Sequence, residues 1–173
     1  MIDSIDRTII SILQKDARTS HAELARRTGI APSAILARIR KMEESGLIRG
    51  YEARLDPKRL GASLVAFVFV HAEERVGGVD TGRQIGRIPE VQEVHQIAGE
   101  DCYLVKVRVA DTEALGRLLR ESIGSLPSVR STRTTIVLSS VKETALLALP
   151  ADPGARGVGG RARRRGPARP KER

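Results

Sequence analysis

The sequence of 173 residues predicts an α+β protein built from two domains of different construction. Apolar residues recur at helical spacing over residues 4–45, which favours a small helical unit. A continuous β-branched and aromatic run then begins at Leu64, and the elements from there follow the order strand, helix, strand, strand, helix, strand. The first part predicts a three-helix winged helix-turn-helix, and the second predicts a ferredoxin-like βαββαβ sandwich.

The first predicted helix covers residues 4–15, and either Asp3 or Ser4 can cap its N-terminus. Its apolar residues fall on one side and are Ile5, Ile9, Ile12 and Leu13. This helix therefore supplies core to a compact unit.

The next two helices are predicted to form the helix-turn-helix itself. Ser20 and Glu23 make a reciprocal capping box, and Gly29 ends that helix where positive φ costs glycine nothing. Pro32 is tolerated in the first turn of the following helix, whose apolar stripe is Ile35, Ile39 and Met42. The outer side of that helix is polar and basic, and it comprises Ser33, Ala34, Ala37, Arg38, Arg40 and Lys41. Such a pair of helices predicts DNA binding.

The candidate DNA-binding residues lie on and beside these two helices. They are Ser20, Arg26, Arg27, Ala31, Ser33, Ala34, Ala37, Arg38, Arg40, Lys41 and Arg49. Arg38 and Ser33 are the candidates for base edges, since one bidentate arginine contributes ~1–3 kcal/mol of discrimination for guanine. Arg26, Arg27 and Arg49 are candidates for phosphate contacts, as is Arg54; the alternative for all these charges is a solvated helix surface.

The domain boundaries follow from breaks in the pattern. Gly46 ends the third helix, residues 47–55 are a candidate short strand or wing, and Asp56 with Pro57 starts a turn. We therefore expect a DNA-binding domain at 1–56, a hinge at 57–63 and a second domain at 64–149.

The second domain changes to the period of strands. Its predicted strands are 64–70, 91–98, 103–109 and 129–138, with 141–149 as a further candidate edge element. Its predicted helices are 79–88 and a segment that Asp111 caps and that continues to Ser125. Val91, Glu93, His95 and Ile97 are expected on one face of their strand. Two helices cover one face of a four-stranded sheet, and the run at 64–70 is too apolar for solvent, so we infer dimerisation through the other face.

Charge separates the chain into three parts within a net charge of +9. Residues 1–60 carry a net +4, residues 61–150 a net −1 and residues 151–173 a net +6. The last segment is rich in Gly, Pro and Arg, so residues 150–173 are predicted to be a disordered basic tail. That tail is either a solubilising extension or a further DNA-binding segment.

Several functional classes are disfavoured. Cys102 is the single cysteine, which excludes an intrachain disulfide, and no apolar run reaches the ~20 residues that a membrane helix needs. His21, His71 and His95 share no metal-ligand spacing, and no catalytic constellation stands out. We therefore predict no enzyme, no catalytic residue, no metal and no cofactor, and a cytoplasmic, nucleoid-associated protein without a membrane partner.

The chain resembles the Lrp/AsnC family of transcriptional regulators, also called feast/famine regulators. The resemblance rests on the order of the elements and on motifs at 5–19, 23–61, 99–109 and 126–143. It implies homodimers that bind pseudo-palindromic double-stranded DNA and that assemble further, to tetramers or octamers. It also implies a second domain that binds a small effector, usually an amino acid.

The resemblance places the effector near the turn between the second and third strands. The residues it implies are Gly99, Glu100, Asp101, Cys102 and Tyr103, with Thr132 and Thr134 on the last strand. The family turn is commonly G-D-x-D-Y. This chain has G-E-D-C-Y at 99–103, so one acidic residue is moved and Cys102 stands where the second acidic residue would be. Ala31 likewise replaces the usual serine cap. From the residues alone, Glu100 and Asp101 are favoured as ordinary polar loop residues, with binding of an amino-acid ammonium as the alternative. Cys102 is a packed small residue rather than a redox sensor.

Three functions remain in view. The first is a sequence-specific regulator whose assembly or DNA binding responds to an amino acid. The second is a nucleoid-type architectural protein with little sequence specificity. The third, an enzyme with a DNA-binding appendage, ranks last.

Overall fold

The computed structural model describes residues 2–75 and 77–149. Two compact units divide the described chain between Glu52 and Ala53, and the segment from Thr144 onward groups with the first unit. The predicted basic tail at 150–173 lies outside the described residues.

The first unit is a bundle of three short helices. They are α1 (Ser4–Lys15), α2 (His21–Thr28) and α3 (Pro32–Glu44). Every predicted apolar stripe contributes to one core, and the buried members are Ile9, Leu24, Ala25, Ile35, Ile39 and Met42. Gly29 ends α2 in the left-handed conformation with φ of 74°, as the turn requires.

The helix caps differ in part from the prediction. Asp3 caps α1 and forms a full reciprocal box with Asp6. Ser20 makes only half of a box, because its hydroxyl accepts from the Glu23 N–H while the Glu23 carboxylate turns to Arg26 and Arg27 instead. The predicted reciprocal cap of α2 is therefore wrong in its second half.

Neither candidate strand outside the predicted sheet forms. Residues 47–55 contain no strand, and neither do residues 141–149. The side-chain amide of Gln14 instead holds Leu147, accepting from its N–H (2.7 Å) and donating to its carbonyl oxygen (3.3 Å). These bonds replace the ladder partner that an edge strand would need, and they join the segment from Thr144 to α1.

The second unit is one antiparallel sheet in the order β2-β3-β1-β4. Its strands are β1 (Leu64–Ala72), β2 (Val91–Gln96), β3 (Tyr103–Val109) and β4 (Val129–Ile136). Its helices are α4 (Asp80–Ile85) and α5 (Thr112–Arg117), and α5 continues as a π-helical turn over Leu118–Ile123. This is the predicted ferredoxin-like arrangement.

The two helices cover one face of that sheet. Buried residues of the sheet and helices form the core, which comprises Ala66, Val68, Val70, Ala72, Ile85, Tyr103, Val105, Val107, Val109, Leu115, Leu118 and Ile123. Phe67 and Phe69 lie on the opposite face and are half-buried. We call that second face the open face.

One predicted strand face is wrong. Val91 pairs with Val107 and packs on the core, whereas Glu93 pairs with Lys106 on the open face. A β-bulge between Val91 and Glu93 is the reason, because an extra residue reverses the alternation on one side of it.

Gly82→Ala is expected to lower the free energy of unfolding by about 1–3 kcal/mol, which is the cost of overpacking a core. A Cβ on Gly82 would lie 2.6 Å from Cε1 of the buried Tyr103 ring. Thermal unfolding measures the effect. Gly116→Ala is the matched control, because its Cβ would meet only the movable Arg120 side chain at 3.1 Å. Equal stability of the two variants would contradict the tight packing of Gly82 on Tyr103.

Candidate functional site

The outer surface of α3 is a stripe of exposed side chains. Ser33, Ala37, Arg40 and Lys41 are all exposed and follow the spacing i, i+4, i+7, i+8, while Ala34 beside them is half-buried. Arg40 and Lys41 take part in no ion pair within the described residues. We call this surface the α3 stripe; it offers two free positive charges on a convex helix.

The N-terminus of α3 is open. Ala31 occupies the N-cap and makes no side-chain hydrogen bond, and Pro32 stands in the first turn. Ser33, which follows Pro32, is exposed beside this uncapped end. A helix start without its own cap is complementary to a phosphate, because both the free N–H groups and the helix dipole favour negative charge.

The predicted phosphate contacts on α2 share one carboxylate. Glu23 accepts from Arg26 at 2.7 Å and from Arg27 at 2.6 Å. Hydrogen bonds from Arg26 and then Arg27 lower the pKa of Glu23 to about 2, so the carboxylate stays ionised at any physiological pH. Both arginine side chains remain at least half exposed. Arg49 follows α3 and is exposed as well.

Arg38 does not belong to the α3 stripe. Its Nη1 donates to Asp3 at 2.6 Å and to Asp6 at 2.7 Å, and its side chain is half-buried. The expectation that Arg38 reaches base edges is not supported by this geometry, since the guanidinium is already bound.

The turn between β2 and β3 brings together only part of the predicted effector set. Asp101 accepts from Arg133 of β4 at 2.8 Å, and the Arg133 guanidinium stacks 4.2 Å from the centre of the Phe69 ring. Glu100 is exposed, and its carbonyl oxygen lies 2.8 Å from Nδ1 of His71. Within the part of the chain that the structure describes, the turn therefore presents one carboxylate in an ion pair, Asp101, and one outside any ion pair, Glu100.

Cys102 and Tyr103 point into the protein. The Cys102 thiol is half-buried and donates to the Ala72 carbonyl oxygen at 3.1 Å. Tyr103 is 2% exposed, and its hydroxyl donates to the Glu74 carboxylate at 2.6 Å. Burial, followed by this hydrogen bond, raises the pKa of Tyr103 to about 12. These two side chains shape the turn from inside.

Glu74 connects the predicted turn to α4. Besides Tyr103, its carboxylate accepts from the backbone N–H of the fully buried Thr81, whose hydroxyl lies 2.7 Å from that of Ser128. Burial by itself raises the pKa of Glu74, but the hydrogen bonds from Thr81 and Tyr103 hold it below its ordinary value. No local sequence pattern points to this carboxylate, because the contact with Tyr103, 29 residues along the chain, forms only through packing.

The two threonines of β4 lie apart from the Asp101–Arg133 pair. Thr132 pairs with Val70 and Thr134 with Val68, which places both on the helix-covered side of the sheet. Arg133 between them lies on the open face with Phe69. The predicted effector residues therefore lie on both faces of the sheet.

A cleft of about 400 Å³ lies at the other end of β3. Its walls are Glu90, Val109, Ala110, Ala114, Arg117, Leu118, Glu121 and Ser122. β3 runs from Tyr103 to Val109, so this cleft is separate from the predicted effector turn.

Comparison with known proteins assigns both units. Residues 2–49 match a winged helix-turn-helix DNA-binding domain, and residues 65–147 match the Lrp/AsnC ligand binding domain. The chain is 41% identical over 147 residues to the leucine-responsive regulatory protein of Escherichia coli strain K12, which covers 83% of this chain and 88% of that protein. The chain belongs to the Lrp/AsnC family. This confirms the membership that the sequence motifs predict.

Solved structures of the family have the same fold. A feast or famine regulatory protein of M. tuberculosis, complexed with L-methionine, is 35% identical with a TM-score of 0.77, over 85% of this chain and 99% of that one. A transcriptional regulator of Neisseria meningitidis, also in complex with L-methionine, is 28% identical with a TM-score of 0.79, over 86% and 97%. This Lrp/AsnC protein is thus a DNA-binding transcriptional regulator with a ligand-binding domain, and its relatives are regulators rather than enzymes.

Two further observations concern the described residues only. They hold no group of three or more His, Cys, Asp or Glu side chains arranged to bind a metal ion. Among them, no helix is both long and apolar enough to cross a bilayer.

Proposed function

We propose that this protein binds specific pseudo-palindromic DNA through the α3 stripe and that an amino acid, bound at the turn between β2 and β3, changes its assembly or its DNA affinity. The observation that carries the first part is a pair of cations on the exposed side of α3, Arg40 and Lys41, which form no ion pair within the described residues. A helix of this kind fits the major groove, where side chains meet base edges and flanking phosphates. Its relatives support the amino-acid response, since two of them hold L-methionine.

The DNA contacts follow from the surface of the first unit. Ser33 and Ala37 occupy the middle of the α3 stripe and face bases, while Arg40 and Lys41 reach bases or phosphates at its edge. Exposed Arg26, Arg27 and Arg49 are proposed to meet the DNA backbone, together with the N-cap of α2 at Ser20 and the first turn of α3 at Ala31 and Ala34. In a two-fold dimer the half-sites lie about one helical turn, ~34–36 Å, apart.

The open face is proposed to form the homodimer. Phe67, Phe69 and Leu104 are half-buried on it, and charged groups surround them. Lys106 and Arg108 there are bound by Glu143, at 2.6 Å and 3.2 Å, so these two cations are neutralised within the described chain. A surface with a central aromatic patch and a neutralised rim suits a second copy of the same chain. Further assembly to tetramers or octamers is part of the proposal.

The Asp101–Arg133 pair matches the zwitterion of an amino acid. A free amino acid carries an ammonium and a carboxylate a few ångströms apart, and the pair offers the two complementary charges at 2.8 Å. Glu100 supplies a further exposed carboxylate, which forms no ion pair among the described residues. Gly99 has a φ of 148°, and a Cβ built on it would have no atom within 4 Å, so the turn is open beside these groups.

Asp101→Asn is expected to weaken amino-acid binding about tenfold, because the ammonium loses its charged acceptor and Arg133 loses its partner. Titration calorimetry with each of the common amino acids measures the effect. Asp80→Asn is the matched control, since Asp80 is an exposed carboxylate paired with Arg83 at 3.2 Å away from the turn. Equal losses in the two variants would contradict the proposed site.

Footprinting on genomic DNA, with and without a pool of amino acids, tests the function as a whole. Discrete pseudo-palindromic sites whose occupancy changes with the pool are the expected result. The charge of residues 151–173 favours one alternative, an architectural protein that coats DNA. Broad coverage that ignores the pool, with equal affinity for specific and random duplexes, would establish that alternative and reject the regulator.

A further inference from the structure

The N-terminal cap of α1 holds a side chain of α3. The Asp6 N–H donates to Asp3 Oδ1 at 2.8 Å, and the Asp3 N–H donates to Asp6 Oδ2 at 3.2 Å. Each carboxylate keeps its second oxygen, and both of these accept from Nη1 of Arg38, at 2.6 Å and 2.7 Å. One nitrogen atom thus joins the start of the first helix to the middle of the third.

This cluster is more enclosed than an ordinary surface ion pair. The Asp6 side chain is 15% exposed and that of Arg38 is 32% exposed. Hydrogen bonds to Asp6 and Asp3 raise the pKa of Arg38, and the Asp6 backbone N–H, followed by Arg38, lowers the pKa of Asp3. Two carboxylates surround one guanidinium, so the cluster has no surplus positive charge to offer a phosphate.

The position of Arg38 on α3 also separates it from the α3 stripe. At ~100° per residue, Arg38 lies about 120° around the helix from the centre of Ser33, Ala37, Arg40 and Lys41. It stands instead at the flank of the buried stripe formed by Ile35, Ile39 and Met42. A group at that flank is well placed to fix how far the helix turns about its own axis.

We propose that Arg38, Asp3 and Asp6 form a clamp that sets the rotation of α3, and that Arg38 is a positioning residue rather than a base contact. This inference rests on the proposed DNA-binding function of the α3 stripe. A rotation of α3 by a fraction of a turn would move Ser33 and Ala37 away from their base edges, whereas phosphate contacts by long cations such as Arg40 and Lys41 tolerate such movement. The clamp therefore governs specificity more than total affinity.

The test compares Asp6→Asn, Arg38→Gln, the double variant and Arg38→Lys in the full chain. The probes are a duplex enriched from random-sequence DNA by the unmodified protein and a random duplex of equal length. Each single variant is expected to lower the specific-to-random affinity ratio about tenfold, and the double variant no further. The salt slope on the random duplex is expected to stay unchanged, and Arg38→Lys to recover part of the ratio, since lysine keeps the charge without the fork.

Several outcomes would overturn the clamp. If Arg38 contacts DNA, Arg38→Gln lowers the salt slope by about 1 per contact, and Asp6→Asn raises affinity by releasing the guanidinium. Unchanged ratios would overturn it as well. All binding is measured below the unfolding transition of each variant, so that loss of folded protein does not imitate loss of specificity.

Thermal unfolding without DNA separates this inference from the proposed function. The effects of Asp6→Asn and Arg38→Gln on the unfolding temperature are expected to be strongly non-additive, because they remove the same contact. Additive effects would reject the clamp whatever the DNA results. If the unmodified protein binds both duplexes equally, the proposed regulator function is rejected instead. The non-additive effect of the two substitutions on unfolding without DNA would still test the clamp.

Discussion

Replacing Arg40 and Lys41 together with glutamine is expected to weaken binding to every duplex about a thousandfold at 0.15 M salt. In the proposed dimer the two substitutions remove four phosphate contacts, and each contact contributes ~0.9 to the salt slope. The slope therefore falls by about 3.6, which corresponds to that loss of affinity at this salt concentration. Both side chains are exposed and unpaired in the described chain, so their removal should leave the helical core intact. Binding isotherms at several salt concentrations measure the change.

The matched control for this pair is Arg83→Gln with Arg117→Gln, which removes the same charge from the second unit. Each of those arginines pairs with a carboxylate on its own helix, at 3.2 Å for Asp80 and 2.7 Å for Glu113. Exposed pairs of this kind contribute little to stability, so the control should fold normally. An equal fall of the salt slope in the control would mean that total charge, not the α3 stripe, attracts DNA.

Much of the fold was predictable because its signals are local. Ile35, Ile39 and Met42 repeat at helical spacing, and the buried residues of Tyr103–Val109 alternate as predicted. Asp111 caps its helix as expected, with its carboxylate accepting from the Ala114 N–H at 2.8 Å. In each case the residues that decide the element lie within one turn or one strand of each other.

The errors in the predicted fold occur at elements whose structure depends on contacts with other parts of the chain. A strand at 47–55 needs a ladder partner that the described chain does not supply, and the side of the sheet on which Val91 lies depends on a bulge. The helix after Asp111 changes to a π-helical turn at Leu118, with the Gly124 N–H bonded to the Leu119 carbonyl oxygen. The spacing of apolar residues alone does not distinguish a bulged strand from a regular one, or a π-helical turn from a continuing α-helix.

In the candidate sites, too, features set by local spacing could be predicted, and those set by tertiary contacts could not. The exposed side of α3 could be read from its period, and the bonds from Arg26 and Arg27 to Glu23 follow the i, i+3 and i, i+4 rule. The partners of Arg38 and of Tyr103 could not, because Asp3 and Glu74 come close only through packing. Tertiary contacts therefore decided which predicted residues are free and which are already bound.

The fold is expected to lose about 3 kcal/mol of stability between pH 10 and pH 12 through Tyr103 alone. The pKa of this tyrosine is raised from 10.0 to about 12, and two pKa units correspond to about that free energy. Because the folded-state pKa is the higher one, the contribution is complete below pH 10 and disappears as the pH rises through 12. Denaturant unfolding at a series of alkaline pH values measures the loss. In Tyr103→Phe the free energy of unfolding should fall less steeply over that range.

Tyr51→Phe is the matched control, since the chain has two tyrosines and no tryptophan. Tyr51 is 49% exposed in the first unit, where its hydroxyl donates to Glu43 at 2.9 Å, and solvent screens that contact. Its removal should leave most of the alkaline loss in place. In Tyr51→Phe the absorbance of tyrosinate reports Tyr103 alone, so ionisation near pH 10 in the folded protein would show that Glu74 and burial do not hold the proton. Ionisation of Tyr103 near pH 12, at the pH where the protein unfolds, would show that the Tyr103 hydroxyl proton stabilises the contact through Glu74 that connects β3 to α4.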